Sequence, residues 1–215
     1  MVKVNRKKTN KGGTDVSLSL KVYFDFTCPY CYLAWGYMKK LKESMDIDDH
    51  WVTWEIHPTL PKEGAHIQKV VPTVNMAERK GKLNGLGAPV GLTPGDREIL
   101  PYTHLALQGA EYAIEQGKMH AWIDAVYHAS FVAGKNIGDQ DVLLAIARQV
   151  GLNADELAAR LNQGYYKQVL LDHDRECAEI KLEWVPTVYA GDVRIIEGAF
   201  TYDQFVAAVQ GLVNR

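Results

Sequence analysis

Residues 19–31 read SLKVYFDFTCPYC, and this stretch decides the fold. Residues 19–26 are rich in β-branched and aromatic types, which predicts a strand. Pro29 suits the first turn of a helix, and the apolar residues after it recur at helical spacing, with lysines between them, to about Ser44. These apolar positions are Cys31, Ala34, Trp35, Met38 and Leu41. Cys28 and Cys31 are therefore expected where a strand passes into a helix.

Further strand signals lie on both sides of a long helical region. Residues 51–57 predict a second strand, and residues 185–190 and 193–196 predict a β-hairpin around Gly191 and Asp192. The region from about 72 to 164 shows helical periodicity without strand signals. Helices are expected at 74–83, 102–116, 118–132, 139–150 (N-cap Asp139), 154–161 (N-cap Asn153), 166–181 and 201–212. The sequence predicts an α/β protein with a four-stranded sheet and a helical insertion.

Composition and charge narrow the classes of function. The chain has 215 residues, 47% of them hydrophobic, and a net charge of −2, so no nucleic acid or anionic membrane partner is expected. Residues 1–17 begin with a stretch that is rich in basic residues and poor in apolar ones, which predicts a flexible tail. No stretch resembles a secretory signal or a membrane span, so a cytoplasmic location is expected.

The two close cysteines are suited to thiol chemistry. A cysteine at a helix N-terminus meets unpaired N–H groups and the positive end of the helix dipole, which favour the reactive thiolate. Cys28 has this position, whereas Cys31 lies one turn further along on the apolar face. We therefore expect Cys28 to attack a disulfide and Cys31 to resolve the mixed disulfide. Pro29 and Tyr30, between them, are expected to tune the redox potential and contact the substrate.

A structural zinc site is the alternative use of a Cys-x-x-Cys pair. Such a site needs two more ligands, and His173 with Cys177, four residues apart on a predicted helix, are the nearest candidates. No second close cysteine pair exists in the sequence. We therefore predict no metal and no other cofactor, and expect Cys177 to be a buried bystander.

The segment Trp184-Val185-Pro186-Thr187 places a proline at the start of a predicted strand. One interpretation is that Pro186 simply begins an edge strand. The other is that Val185-Pro186 is a cis peptide whose loop faces the cysteines and offers backbone groups to a substrate chain. Asp25, three residues before Cys28, also has two interpretations: a proton acceptor for Cys31 or a cap at the strand end.

Four segments together resemble the DsbA-like thioredoxin family, specifically its FrnE-like branch. They are Asp25-Phe26-Thr27-Cys28-Pro29-Tyr30-Cys31, His57-Pro58-x-x-Pro61-x-Glu63-Gly64, Val185-Pro186-Thr187 and Glu197-Gly198-Ala199-Phe200. The resemblance implies a thioredoxin-like four-stranded mixed sheet with a large all-helical insertion, as in DsbA. It implies a thioredoxin-like domain over 18–65 and 165–215, an insertion over 66–164, a Cys28/Cys31 dithiol and a cis proline at Pro186.

Two positions depart from the family pattern. FrnE-like proteins usually carry tryptophan, and DsbA histidine, where this chain has Tyr30. Without that histidine, which stabilises the thiolate, we expect a potential nearer the reducing end of the range from about −120 to about −270 mV. The family also tends to have glycine where this chain has Trp184, whose ring is expected to narrow the substrate groove or supply an apolar contact.

Competing functions remain open at this stage. Kappa-class glutathione transferases and 2-hydroxychromene-2-carboxylate isomerases share the superfamily, but they typically carry serine at the position of Cys28. A non-enzymatic chaperone-like or metal-binding module is the third possibility. The expected partners are proteins with disulfides or thiols, with glutathione or a thioredoxin-type reductant as the recycling agent.

Overall fold

The computed structural model describes residues 4–8 and 14–213. Its strands, in chain order, are β1 (Val4–Lys8), β2 (Thr14–Phe24), β3 (Ile47–Thr53), β4 (Ala65–His66), β5 (Ile99–Leu100), β6 (Thr187–Ala190) and β7 (Val193–Glu197). The helices are α1 (Pro29–Lys42), α2 (Ile67–Val70), α3 (Met76–Gly87), α4 (His104–Glu115), α5 (Met119–Tyr127), α6 (Gln140–Gln149), α7 (Ala154–Gln163), α8 (Lys167–Glu179) and α9 (Tyr202–Val213). A π-helical turn, His128–Val132, continues α5.

The central sheet has five strands: four follow the order β3-β2-β6-β7, and β1 pairs with the first residues of β2. Strand β3 runs parallel to β2, with Val22 opposite Trp51, whereas β6 and β7 are antiparallel to their neighbours. The parallel pair is joined by a crossover through α1, as parallel strands require. The mixed arrangement of the four strands β3-β2-β6-β7, with helices inserted between β3 and β6, confirms the predicted fold class.

Helix α1 is buried on more sides than its sequence pattern predicted. The expected stripe is buried, but Leu33, Gly36 and Tyr37 are buried as well. A methyl group at Gly36 would lie 2.7 Å from Leu92 Cδ1, so a loop of the inserted region packs directly on this helix. A helix covered on several faces carries apolar residues around most of its surface. The helix that begins at the cysteines is therefore held between the sheet and the insertion.

Aromatic rings connect the sheet, α1 and the insertion in one core. Phe24 and Phe26 meet edge to face at 5.1 Å between ring centroids, and Phe26 meets Tyr127 of α5 at 5.2 Å. Tyr32 of α1 stacks on Phe131 at 4.9 Å. Such pairs add stabilisation beyond the burial of their area. They fix the start of α1 against the helical insertion.

Three sequence-based expectations differ from the structure, and the first is the second strand, which was expected at 51–57 and is β3, Ile47–Thr53. Residues 1–17 were expected to be a tail, but Val4–Lys8 pairs antiparallel with the first residues of β2. A ladder is made of backbone hydrogen bonds, and lysine-rich strands are common at sheet edges, so apolar residues were not required. The short β4–β5 pair within the insertion was also missed, since two-residue strands carry no periodicity. The predicted N-caps Asp139 and Asn153 are confirmed by their bonds to backbone N–H groups.

Candidate active site

The two cysteines occupy the N-terminus of α1 as free thiols. Cys28 is the N-cap residue, and its amide donates to the Asp25 carbonyl at 3.2 Å. Its side chain makes no capping bond, which leaves the first-turn N–H groups of the helix directed toward the sulfur end. Cys28 is 6% exposed and Cys31 0%. Both cysteines are thus buried, and of the two only Cys28 keeps some exposed area.

The loop before β6 lies against Cys28. The Val185–Pro186 peptide bond is cis, and the Cys28 thiol donates to the Val185 carbonyl with 3.5 Å between Sγ and O. The loop is braced because the Thr187 hydroxyl donates to the Trp184 carbonyl at 2.5 Å and the Gly198 amide to the Pro186 carbonyl at 2.8 Å. Pairing of Tyr23 with Thr187 in the sheet brings together residues far apart in the sequence.

Cys31 is held in its protonated form. Burial, followed by the hydrogen bond to Cys28 and the charge there, raises the pKa of Cys31 well above its ordinary value. A thiol in this environment is a poor nucleophile until a neighbouring reaction removes that charge. The arrangement suits a resolving cysteine that acts after Cys28 has formed a bond.

Asp25 is a fully buried carboxyl beside the cysteines. Its two oxygens accept from the Thr27 and Ile56 amides, each at 2.8 Å, so it caps the strand end. Burial raises the pKa of Asp25 to about 6, although bonds from Thr27, Ile56 and Thr103 act in the opposite direction. The carboxyl therefore changes charge near neutral pH, next to a reactive pair.

Arg97, from the insertion, was not singled out by the sequence. Its guanidinium donates to the Thr27 carbonyl and, at 2.9 Å, to the Ser130 hydroxyl, and it lies 4.0 Å from the ring centre of Phe131. The residue sits in a loop without a motif, so no local pattern could have indicated this contact. It places a partly buried positive charge beside the residue that precedes Cys28.

The predicted substrate-contacting residues fall on two sides of Cys28. Pro29 and Tyr30 line a cleft of about 260 Å³ against α3, with Arg79 and Lys82 on its far wall. Val185 and Pro186 form the loop described above, and Trp184 is 63% exposed at its edge. An exposed aromatic ring at the edge of the loop that contacts Cys28 is suited to contact a substrate chain.

Cys177 and His173 lie apart from the dithiol. Cys177 is 1% exposed, and burial raises its thiol pKa to about 12. His173 contacts the Thr53 hydroxyl at 2.9 Å and lies 3.7 Å from the Glu111 carboxylate. In residues 4–8 and 14–213, no three His, Cys, Asp or Glu side chains form a group that could hold a metal ion. No helix in these residues is long and apolar enough to cross a membrane.

Comparison with protein-family models identifies the family of this chain. The profile of the DSBA-like thioredoxin domain matches residues 19–210, nearly the whole chain. The chain belongs to the DsbA-like thioredoxin family. A relative from Bacillus subtilis, the uncharacterized protein YwbO, is 28% identical over 199 residues, which are 90% of this chain and 96% of YwbO.

Solved structures of DsbA-like proteins share the fold. A probable DsbA oxidoreductase from Streptomyces coelicolor superposes with a TM-score of 0.81 and 20% identity, over 92% of this chain and 91% of its own. A 2-hydroxychromene-2-carboxylate isomerase superposes with a TM-score of 0.70 and 15% identity, over 92% of this chain and 95% of its own. The cytosolic disulfide reductase DsbM from Pseudomonas aeruginosa, solved with glutathione, superposes with a TM-score of 0.62 and 18% identity, over 92% of this chain and all of its own.

Proposed function

We propose that this protein catalyses thiol–disulfide exchange through Cys28 and Cys31, within the FrnE-like branch of its family. The observation that carries the proposal is the unequal setting of the two sulfurs. Cys28 keeps a small exposed area, at a helix N-terminus and beside the Val185 carbonyl, while Cys31 is fully buried with a raised pKa. One sulfur can reach a substrate and the other can reach only its partner.

The reaction in the reducing direction has two steps. The Cys28 thiolate attacks one sulfur of a substrate disulfide, the substrate S–S bond breaks, and the departing sulfur leaves as a thiolate that takes a proton. Cys31 then loses its proton and attacks the Cys28 sulfur, which releases the second substrate thiol. The substrate gains two electrons and the protein is left with a Cys28–Cys31 disulfide. A thiol reductant, glutathione or a thioredoxin-type protein, returns the dithiol; oxidation of a substrate dithiol is the reverse sequence.

The loop of Val185 and Pro186 is the proposed docking edge for a client chain. Its backbone groups lie next to Cys28, where an extended peptide can pair with them as an added strand. The exposed Trp184 supplies an apolar contact beside this edge. We place the activity in the cytoplasm, the compartment named for DsbM, with disulfide-containing proteins as clients and glutathione as one candidate reductant.

Cysteine variants test the proposal in an insulin reduction assay. Cys28→Ser is expected to abolish turnover, and Cys31→Ser to stop turnover while accumulating a mixed disulfide. Cys177→Ser is the matched control, because it also removes a buried thiol but lies away from the dithiol. Undiminished insulin reduction by Cys28→Ser would refute the proposal. Zinc in stoichiometric amounts in the purified protein would favour the metal-binding alternative, and glutathione-dependent isomerisation that survives Cys31→Ser would favour an isomerase.

A further inference from the structure

The short peptide segment before Cys28 is held at the two peptide groups that flank Thr27, one by Asp25 and the other by Arg97. The Thr27 amide donates to Asp25 Oδ1 at 2.8 Å, and the Thr27 carbonyl accepts from the Arg97 guanidinium. Thr27 is 1% exposed, and its hydroxyl has no hydrogen-bond partner. The position of this peptide therefore depends on Asp25, from the same strand end, and on Arg97, from the insertion.

Arg97 is itself fixed in place by the insertion. One nitrogen donates to Ser130 Oγ at 2.9 Å, and the guanidinium packs on Phe131. Arg79 of α3 donates to the Arg97 carbonyl at 3.5 Å and the Gly95 carbonyl at 3.3 Å. Two parts of the insertion thus hold Arg97: the turn of Ser130 and Phe131 contacts its side chain, and Arg79 bonds its backbone carbonyl.

The positive charge of Arg97 has no described carboxylate in direct contact. Its hydrogen bonds go to a backbone carbonyl and a hydroxyl, and Asp25 is committed to two amides. Burial lowers the pKa of Arg97 to about 9, so the guanidinium stays protonated at neutral pH. The ionisable groups described around Cys28 are Asp25, Tyr30, Cys31, Arg79, Arg97 and Tyr127.

We propose that Arg97 is a positioning residue for the exchange reaction: it fixes the Thr27–Cys28 peptide, and its partly buried charge favours the Cys28 thiolate. The inference rests on the proposed function, since it concerns the nucleophile of that reaction. A thiolate at Cys28 carries negative charge, whereas the disulfide is neutral. A nearby fixed cation therefore stabilises the reduced state and makes the disulfide a stronger oxidant. In this proposal the insertion, through Arg97, raises the redox potential of the Cys28/Cys31 pair.

Two measurements on Arg97→Gln test this role. Alkylation of Cys28 by iodoacetamide is expected to slow about tenfold at pH 6.5 but to match the parent at pH 10, where thiols are ionised without help. The equilibrium constant with glutathione is expected to shift about tenfold toward the disulfide, which is about 30 mV for a two-electron couple. Arg97→Lys, which keeps the charge, is expected to recover most of both effects. Arg148→Gln, the control, removes an exposed charge from α6 and is expected to change neither.

A purely structural role predicts a different pattern. Arg97→Gln would then lower the melting temperature while alkylation at pH 6.5 and the glutathione equilibrium stayed within twofold of the parent, and this result would overturn the proposal. Should Arg97→Gln fail to fold, Ser130→Ala frees the guanidinium from one anchor, and alkylation and a glutathione equilibrium within twofold of the parent in that variant would overturn the proposal. The parent's insulin turnover is measured separately. Its absence would refute the proposed function even where the Arg97 effect on Cys28 is present.

Discussion

Replacing Asp25 by asparagine removes a buried charge while keeping the shape of the side chain. Asp25 is fully buried, and burial raises its pKa from 3.8 to about 6. An acid whose pKa is raised in the folded state favours folding when it is protonated. Its contribution is fully present below about pH 4 and is lost as the pH rises through about 6. The parent is thus expected to carry a buried charge above pH 6 that weakens the fold.

The magnitude follows from the shift. A change of about 2 pKa units at about 1.4 kcal/mol per unit is about 3 kcal/mol of unfolding free energy across this pH range. Asparagine can accept only one of the two bonds from the Thr27 and Ile56 amides, which costs about 1–3 kcal/mol at every pH. Asp25→Asn is therefore expected to be less stable than the parent at pH 4. Between pH 4 and pH 7.5 the difference should move by about 3 kcal/mol in favour of the variant.

Urea unfolding at pH 4.0, 5.5 and 7.5, with the parent measured alongside, checks this prediction. Asp139→Asn is the control, because Asp139 is an exposed N-cap that bonds the Asp141 amide and asparagine caps helices equally well. Its stability difference is expected to stay within about 0.5 kcal/mol at all three pH values. A difference for Asp25→Asn that does not change with pH would refute the electrostatic account of this carboxyl.

Three further substitutions separate packing from substrate contact. Gly109→Ala would place its Cβ 2.3 Å from Trp122 Cζ2, so urea unfolding should show a loss of about 1–3 kcal/mol; Gly81→Ala, with open space around it, is expected to gain up to about 1 kcal/mol. Equal changes in unfolding free energy for Gly109→Ala and Gly81→Ala would contradict the close packing of α4 on Trp122 of α5. Trp184→Ala, at a 63% exposed site, should leave stability within about 0.5 kcal/mol. It should raise the KM for insulin severalfold but not the KM for glutathione disulfide, and unchanged values for both would exclude the ring from client binding.

Local patterns in the sequence indicated four strands of the central sheet and the position of the two cysteines at the start of a helix. The strand that ends at Phe24 and the helix that begins at Pro29 are strongly patterned, and hairpin signals placed β6 and β7. Pairing of β6 with β2 is a topological consequence of this order, so the approach of Val185 to Cys28 could be expected as one of two interpretations.

Contacts made by isolated side chains could not be predicted in the same way. Arg97 lies in an unpatterned loop 70 residues from Thr27, and only the folded insertion brings its guanidinium to that carbonyl. The burial of Tyr37 on a second face of α1 likewise depends on which segments cover the helix. Strand β1 has a composition that is equally typical of a solvated tail, because backbone pairing leaves little mark on side-chain choice.

The most direct test of the account is to map the mixed disulfide formed by Cys31→Ser. The reduced variant is mixed with a disulfide-containing peptide, quenched with acid and digested, and the adduct is located by mass spectrometry. The account predicts the peptide on Cys28 alone, since Cys177 is buried with a pKa raised to about 12. An adduct on Cys177, or none on Cys28, would contradict the claim that Cys28 is the attacking sulfur.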